Sequence, residues 1–127
     1  RDPEGTLGKA EDLVELENRN VIRDSGIVCA FASDYVTDDR LARLLDTTYE
    51  ELLEIGARTV ARERHFNNRR GKDAAADRLP YEVPDIDEAV REYYEVRGLT
   101  EDGRIPSDRI EPVAADLGGD DAAPADD

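Results

Sequence analysis

The strongest hydrophobic pattern in the chain runs from residue 49 to residue 61. Apolar or small residues recur there at intervals of three and four: Tyr49, Leu52, Leu53, Gly56, Ala57, Val60 and Ala61. This spacing predicts one face of a helix of about 18 residues. A capping-box pattern precedes the face, formed either by Thr47 and Glu50 or by Thr48 and Glu51. Because the middle of the face carries only small side chains, we expect another backbone to approach it closely.

Weaker patterns lie on both sides of this segment. Apolar residues between 9 and 23 predict a helix with a narrow buried stripe, and Asp24 and Ser25 then indicate a break. The apolar stretch 27–32 predicts the start of a second helix. Thr37 followed by two acids predicts the start of a short helix that ends near Asp46. A later stripe that begins at Ile86 predicts a helix that stops at Gly98.

The remaining segments carry little periodicity. Residues 67–84 contain Gly71, Pro80, Pro84 and many charges, which is typical of a surface loop. After Pro112 only a weak apolar piece remains, and residues 119–127 are too polar to order themselves, so we expect a disordered acidic tail. No alternating strand pattern is longer than a few residues. The sequence therefore predicts an all-α fold, an irregular bundle of four or five helices, in one domain over residues 1–118.

The charge balance excludes some functions. The chain of 127 residues has 32 acidic against 17 basic side chains and a formal charge of −15. Such a surface repels phosphate backbones, so nucleic-acid binding is not expected. An acidic stripe that mimics DNA is the contrary interpretation, and no motif favours it. Only two of the bases are lysines, Lys9 and Lys72, and dense carboxylates with few lysines suggest a halophilic source.

Other features concern location and processing. No apolar run approaches the length of about 20 residues that a membrane span needs, and no signal-peptide pattern is present, so we expect a soluble cytoplasmic protein. A single cysteine rules out an internal disulfide bond, in agreement with a reducing compartment. The sequence has no methionine, from which we expect a processed protein or a fragment.

The single cysteine, Cys29, lies among apolar residues and follows Asp24 by five positions. A lone cysteine in such a setting is most often a small buried hydrophobic residue. One thiolate cannot hold an iron–sulfur cluster or a structural zinc ion, which need about four ligands. If Cys29 binds a metal, it needs partners from outside these residues. The single histidine, His65, follows a helical pattern and is not expected to be catalytic.

The segment around Cys29 resembles a known family motif. Residues 24–31, Asp-Ser-Gly-Ile-Val-Cys-Ala-Phe, are similar to the D-S-x-G-L-C-x-F segment of the tungsten-containing aldehyde ferredoxin oxidoreductase family. In this chain Ile27 replaces the glycine of that motif. Further similar pieces follow in the family's order: Gly56-Ala57-Arg58, Arg64-His65-Phe66-Asn67, Arg69-Arg70-Gly71, Asp77-Arg78-Leu79-Pro80, Tyr93-Tyr94-Glu95-Val96-Arg97-Gly98, Asp102-Gly103 and Pro106.

The resemblance implies the C-terminal helical part of an enzyme. Such an enzyme oxidises aldehydes to carboxylic acids at tungsten, or molybdenum, held by two pterins, and it passes electrons through a [4Fe–4S] cluster to ferredoxin. Cys29 then takes the place of the fourth cluster ligand. Asp24 would anchor a pterin. The helix start predicted after Asp24 would also direct free backbone N–H groups toward the cofactor, so we expect main-chain atoms of Val28 and Ala30 to contact it.

Most of that machinery is absent from these residues. The resemblance implies that the other three cluster cysteines, the remaining tungstopterin or molybdopterin contacts and the aldehyde site belong to a missing N-terminal part of the same enzyme. We therefore expect the isolated chain to be inactive, and none of its residues is predicted to be catalytic. The competing hypothesis is a non-catalytic helical interaction module, or the remnant of a truncated gene.

Overall fold

The fold is described by a computed structural model, which covers residues 5–32 and 34–115. Those residues form five α-helices: α1 Ala10–Ser25, α2 Asp38–Leu44, α3 Tyr49–Arg69, α4 Ile86–Arg97 and α5 Ser107–Ala115. Two single 3₁₀ turns lie at Ala30–Ala32 and Ala74–Ala76. No β-strand occurs within the described ranges, so the all-α prediction is confirmed. The predicted tail 119–127 lies outside the described residues.

Helix α3 begins at the predicted capping box. The Thr48 hydroxyl accepts the Glu51 N–H at 3.2 Å, and the Glu51 carboxylate accepts the Thr48 N–H at 3.0 Å. Two backbone donors at the helix start are thereby satisfied. The helix then continues to Arg69, beyond the predicted loop start at residue 67. The Asn68 side chain bonds to the carbonyls of Lys72 and Gly103 instead of competing for the local backbone, so it does not end the helix.

Helices α1 and α3 approach each other closely at Gly56, as the small residues of the hydrophobic face predict. Gly56 is buried, and a Cβ atom at this position would overlap the Asn18 carbonyl oxygen and lie 2.9 Å from the carbonyl carbon. Only glycine fits this crossing without moving one of the helices.

The core lies where α1, α2 and α3 meet. It consists of Ile22, Leu41, Ala42 and Leu52, with Val28, Val36 and Leu53 packed against it. Tyr94 and Ile105 are buried in a second region, on α4 and on the segment that follows it. Burial of these few side chains supplies the hydrophobic stabilisation of the bundle.

Two boundaries differ from the predictions. Helix α1 continues through Ser25, and residues 27–32 form a turn and one 3₁₀ turn instead of a second helix. Ile27 is the cause, because its left-handed φ of 55° is incompatible with a continuing helix. Residues 113–115 of the weak apolar piece after Pro112 belong to α5, which begins earlier at Ser107, and the rest of that piece lies outside the described residues. The predicted stop of α4 at Gly98 is confirmed, with φ 64°.

The close approach at Gly56 generates a test by substitution. In an ordinary helix Gly→Ala stabilises by about 1 kcal/mol, but Gly56→Ala must separate α1 from α3. We expect the free energy of unfolding to fall by about 1–3 kcal/mol, measured by urea denaturation. Glu54→Ala, at an exposed position of the same helix, is the control and should change it by less than about 0.5 kcal/mol. A stabilising Gly56→Ala would contradict the close crossing.

Candidate metal and cofactor site at the end of helix α1

The chain leaves α1 through a compact turn at residues 23–28. The Ile27 N–H donates to the Asp24 carbonyl at 3.1 Å, and the Val28 N–H donates to the Arg23 carbonyl at 2.9 Å. These two bonds form a Schellman motif, which satisfies carbonyls that the helix end leaves free. The sequence predicted a helix start here with free N–H groups facing a cofactor. That prediction is wrong for the N–H of Val28, because the turn already uses it.

The left-handed position of the Schellman motif is occupied by Ile27. Glycine is the usual residue there, because a Cβ atom clashes with the following carbonyl in this conformation. Ile27 is β-branched and 92% exposed, so no packing offsets the cost. The D-S-x-G-L-C-x-F motif, which this segment resembles, has glycine at the position of Ile27. The neighbouring Gly26, with φ −80°, does not take over this role.

The side chains beyond the turn differ in their exposure. Val28 is half-buried and packs against the core, whereas the thiol-bearing Cys29 and the ring of Phe31 are exposed, the latter by 99%. The interpretation of Cys29 as a small buried hydrophobic residue is therefore wrong. An exposed thiol is accessible to a metal ion, and its thiolate form is a ligand for iron.

Asp24 lies on the last turn of α1 and is exposed. Within residues 5–32 and 34–115, no ion pair or hydrogen bond occupies its carboxylate. One short segment thus contains all four predicted site residues, Asp24, Val28, Cys29 and Ala30. Ala30 begins the 3₁₀ turn. Such a carboxylate is free to accept hydrogen bonds from amino groups of a ligand.

The segment offers one thiolate ligand for a cluster. In the part of the chain that the structure describes, no group of three or more Cys, His, Asp or Glu residues could hold a metal ion. Cys29 therefore offers a single thiolate where a [4Fe–4S] cluster needs about four. A cluster bound here takes its remaining ligands from residues outside the described ranges.

The loop that carries Cys29 is closed by Arg23. Its guanidinium binds the Asp38 carboxylate at 3.0 Å and the Val36 carbonyl at 3.4 Å. Asp38 is the first residue of α2 and also pairs with Arg19 at 2.7 Å. The end of α1 and the start of α2 are therefore joined directly across the loop.

Motif residues on α4 join this helix to α1. The Arg97 guanidinium, only 8% exposed, donates to the Asn18 amide oxygen and to the Glu17 carboxylate, each at 2.6 Å. The Tyr93 hydroxyl donates to the same carboxylate at 2.8 Å. Burial and this hydrogen bond raise the pKa of Tyr93. The arginine of the Y-Y-x-x-R-G motif is thus a structural residue in this part of the protein.

A second polar cluster joins α3, α4 and the loops beside them. The Arg64 guanidinium binds the Asp77 carboxylate, at 2.9 Å for Nη1, and the Gly103 carbonyl at 2.6 Å. The Tyr94 hydroxyl donates to Asp77. The hydrogen bonds from Arg64 hold the pKa of Asp77 below its ordinary value. A Cβ atom at Gly103, whose φ is 68°, would lie 2.7 Å from the Tyr94 hydroxyl oxygen. Steric overlap therefore favours glycine at this motif position.

The sequence did not distinguish the two tyrosines correctly. Helical spacing from Ile86 favours Tyr93 as the core residue and leaves Tyr94 undecided, because Tyr93 continues the apolar stripe of α4. In the structure Tyr94 is the more buried, with 5% exposure. Both rings lie beside a cavity of about 360 Å³ between α1 and α4, whose polar edge includes Glu17, Arg64 and Asp77. The pairing of each hydroxyl with a separate carboxylate could not be seen from spacing alone.

Comparison with known proteins identifies the family of the chain. A family model described as "Aldehyde ferredoxin oxidoreductase, domains 2 & 3" matches residues 1–113. The chain belongs to this family. No solved structure matches the chain. Within the described residues, no helix is long and apolar enough to span a membrane.

Curated relatives carry a consistent name. A tungsten-containing aldehyde ferredoxin oxidoreductase of Pyrococcus furiosus is 33% identical over 126 positions, which cover 83% of this chain and 21% of that protein. The proteins of the same name from Thermococcus kodakarensis and Pyrococcus abyssi are 31% and 30% identical over the same shares. The chain therefore spans about a fifth of the length of these relatives.

The left-handed Ile27 predicts an unusual stabilising substitution. Ile27→Gly removes the Cβ clash and loses little packing, so we expect the free energy of unfolding to rise by about 0.5–1 kcal/mol after the entropy cost of glycine. Thermal denaturation measures this change. Ile27→Ala keeps a Cβ atom and is the matched control, with a smaller expected change. A destabilising Ile27→Gly would show that the turn does not hold this residue in the left-handed region.

The polar cluster around Tyr94 predicts a loss of stability at alkaline pH. Burial and the hydrogen bond to Asp77 raise the pKa of Tyr94 to about 12 from 10.0. The folded state therefore holds this proton more tightly, and its contribution is complete below pH 10 and is lost as pH rises toward 12. The expected slope is about 1.4 kcal/mol per pH unit for this group.

Variants separate this group from the other tyrosines. Urea denaturation between pH 9 and 12 should show that the free energy of unfolding falls less steeply with pH in Tyr94→Phe. Part of the pH dependence should remain in this variant, because the pKa values of Tyr49 and Tyr93 are also raised. Tyr81→Phe is the control, because Tyr81 is exposed. Equal slopes for Tyr94→Phe and the unmodified chain would contradict the assignment.

Proposed function

We propose that the chain is part of an oxidoreductase that converts aldehydes to carboxylic acids, with Cys29 as one ligand of a [4Fe–4S] cluster. The observation that carries the proposal is the exposed thiol of Cys29 five residues after the exposed carboxylate of Asp24, in a member of the aldehyde ferredoxin oxidoreductase family. When bound, a tungsten or molybdenum bis-pterin group and the cluster supply the oxidation of the aldehyde and the transfer of electrons to ferredoxin.

Each residue of the segment has a separate role in this proposal. The Cys29 thiolate donates to one iron, and its negative charge influences the potential of the cluster. The Asp24 carboxylate accepts hydrogen bonds from amino groups of a pterin ring. Ala30 contributes main-chain atoms, as does Val28 through its carbonyl, because the N–H of Val28 is bound to Arg23.

The activity needs residues beyond this chain. The three other cluster thiolates, the metal–pterin contacts, the aldehyde pocket and the docking of ferredoxin belong to the remaining part of the enzyme, in accordance with the coverage of about a fifth of the relatives' length. We propose that the isolated chain is inactive toward aldehydes. A cytoplasmic location and adaptation of the acidic surface to concentrated salt stay predictions from the composition.

The ligand role of Cys29 is tested in the whole enzyme that contains this sequence. Cys29→Ser replaces a soft thiolate by a poor iron ligand, so we expect loss of cluster iron and of the electron paramagnetic resonance signal of the reduced cluster. Iron analysis and spectroscopy on anaerobically purified protein measure both. Aldehyde oxidation should fall by at least about a hundredfold, the upper end of what second-shell changes cause at metal sites.

Ser25→Ala is the matched control, because it changes one exposed hydroxyl in the same segment without touching the proposed ligands. It should retain iron and activity. If Cys29→Ser also retains both, Cys29 is not a ligand, and the non-catalytic helical module becomes the better description of this chain.

A further inference from the structure

We propose that Arg23 is the positioning residue of Cys29: it closes the loop 24–37 and so fixes where the thiol is presented. The inference rests on the proposed function for the role of the thiol, but the closure itself is a property of this chain. Arg23 contacts both ends of the loop, one through its backbone and the other through its side chain.

The first contact orders the start of the loop. The Arg23 carbonyl accepts the Val28 N–H at 2.9 Å, the bond that reverses the chain direction after α1. Cys29 is the next residue, so its backbone position depends directly on this bond. The strained Ile27 lies inside the same turn and needs such a restraint, because an isoleucine released from it would leave the left-handed region.

The second contact orders the end of the loop. The Arg23 guanidinium, whose side chain is 15% exposed, holds the Asp38 carboxylate and the Val36 carbonyl. Asp38 is the first residue of α2, where the helix dipole favours a negative charge. A charge-assisted pair that is largely shielded from water is stronger than a surface pair.

Packing shows why this closure matters for Cys29. Val28 and Val36 pack against the core on either side of the loop, whereas Cys29, Phe31 and Tyr35 between them are exposed. The exposed side chains cannot order the loop by burial. Arg40 also bonds to the Tyr35 carbonyl, at 2.6 Å, but this contact is exposed and reaches only one end. Arg23 joins both ends.

The closure is tested by hydrogen exchange on the intact protein that bears this sequence. Arg23→Met keeps the length of the side chain and removes the charge, so we expect amides of residues 26–36 to exchange about tenfold faster, as for the loss of one charge-assisted hydrogen bond. Arg23→Lys keeps the charge and should restore part of the protection. Amides of α4 that exchange by local opening should not change, because that opening leaves the loop closed.

Controls keep this result specific. Asp38→Asn weakens the Arg23 pair together with the Arg19 pair at 2.7 Å, so it should produce the same local pattern at least as strongly. It also covers the case that Arg23→Met fails to fold. Arg104→Met removes a comparable pair, Arg104 with Asp73 at 2.8 Å, outside the loop and should leave residues 26–36 unchanged. Unchanged exchange in Arg23→Met and Asp38→Asn, or an equal increase throughout the chain, would overturn the closure.

The link to the thiol is tested in the whole enzyme. If Arg23 positions Cys29, Arg23→Lys should keep the iron content but shift the reduction potential and the resonance spectrum of the cluster, whereas Arg104→Met should shift neither. An unaltered cluster in Arg23→Lys would overturn the positioning role even where hydrogen exchange confirms the closure. Retained iron in Cys29→Ser would instead contradict the proposed function, so the two failures are distinguishable.

Discussion

Asn18 of helix α1 contacts both α3 and α4, and the rest of the structure depends on this junction. The Asn18 backbone lies against Gly56 of α3, where no larger residue fits. The Asn18 side chain accepts a hydrogen bond from the largely buried guanidinium of Arg97 on α4. A change at either contact moves α1, and the end of α1 carries the turn that presents Cys29. Steric exclusion and one charge-assisted hydrogen bond therefore set the position of the candidate site.

The family motifs on α3 and α4 have a structural explanation in this chain. Arg64 and Arg97 each bind a carboxylate to which a neighbouring tyrosine also donates, Tyr94 for the first and Tyr93 for the second. Removing one partner from such a partly buried pair leaves the other partner's charge shielded from water and uncompensated, which costs stability. These residues hold the helices together, whereas the cofactor chemistry that we propose concerns only the segment 24–30.

The sequence predicted most of the helices correctly but did not predict the turn after α1. The capping box at Thr48, the close packing at Gly56 and the stop at Gly98 followed from local chemistry and periodicity. The left-handed Ile27 and the exposed Cys29 did not, because an apolar run gives no sign of which residues face the solvent. The continuation of α3 past Asn67 also depended on distant carbonyl partners of Asn68. Only this last point was decided by a contact between residues far apart in sequence.

The central claim is that this chain contributes Cys29 to a cluster completed by the rest of a larger enzyme. The most direct test is the intact mass and metal content of the protein that bears this sequence, purified without oxygen from its native source. The account predicts a species several times heavier than 14.1 kDa that contains iron together with tungsten or molybdenum. A metal-free species near 14.1 kDa would contradict it.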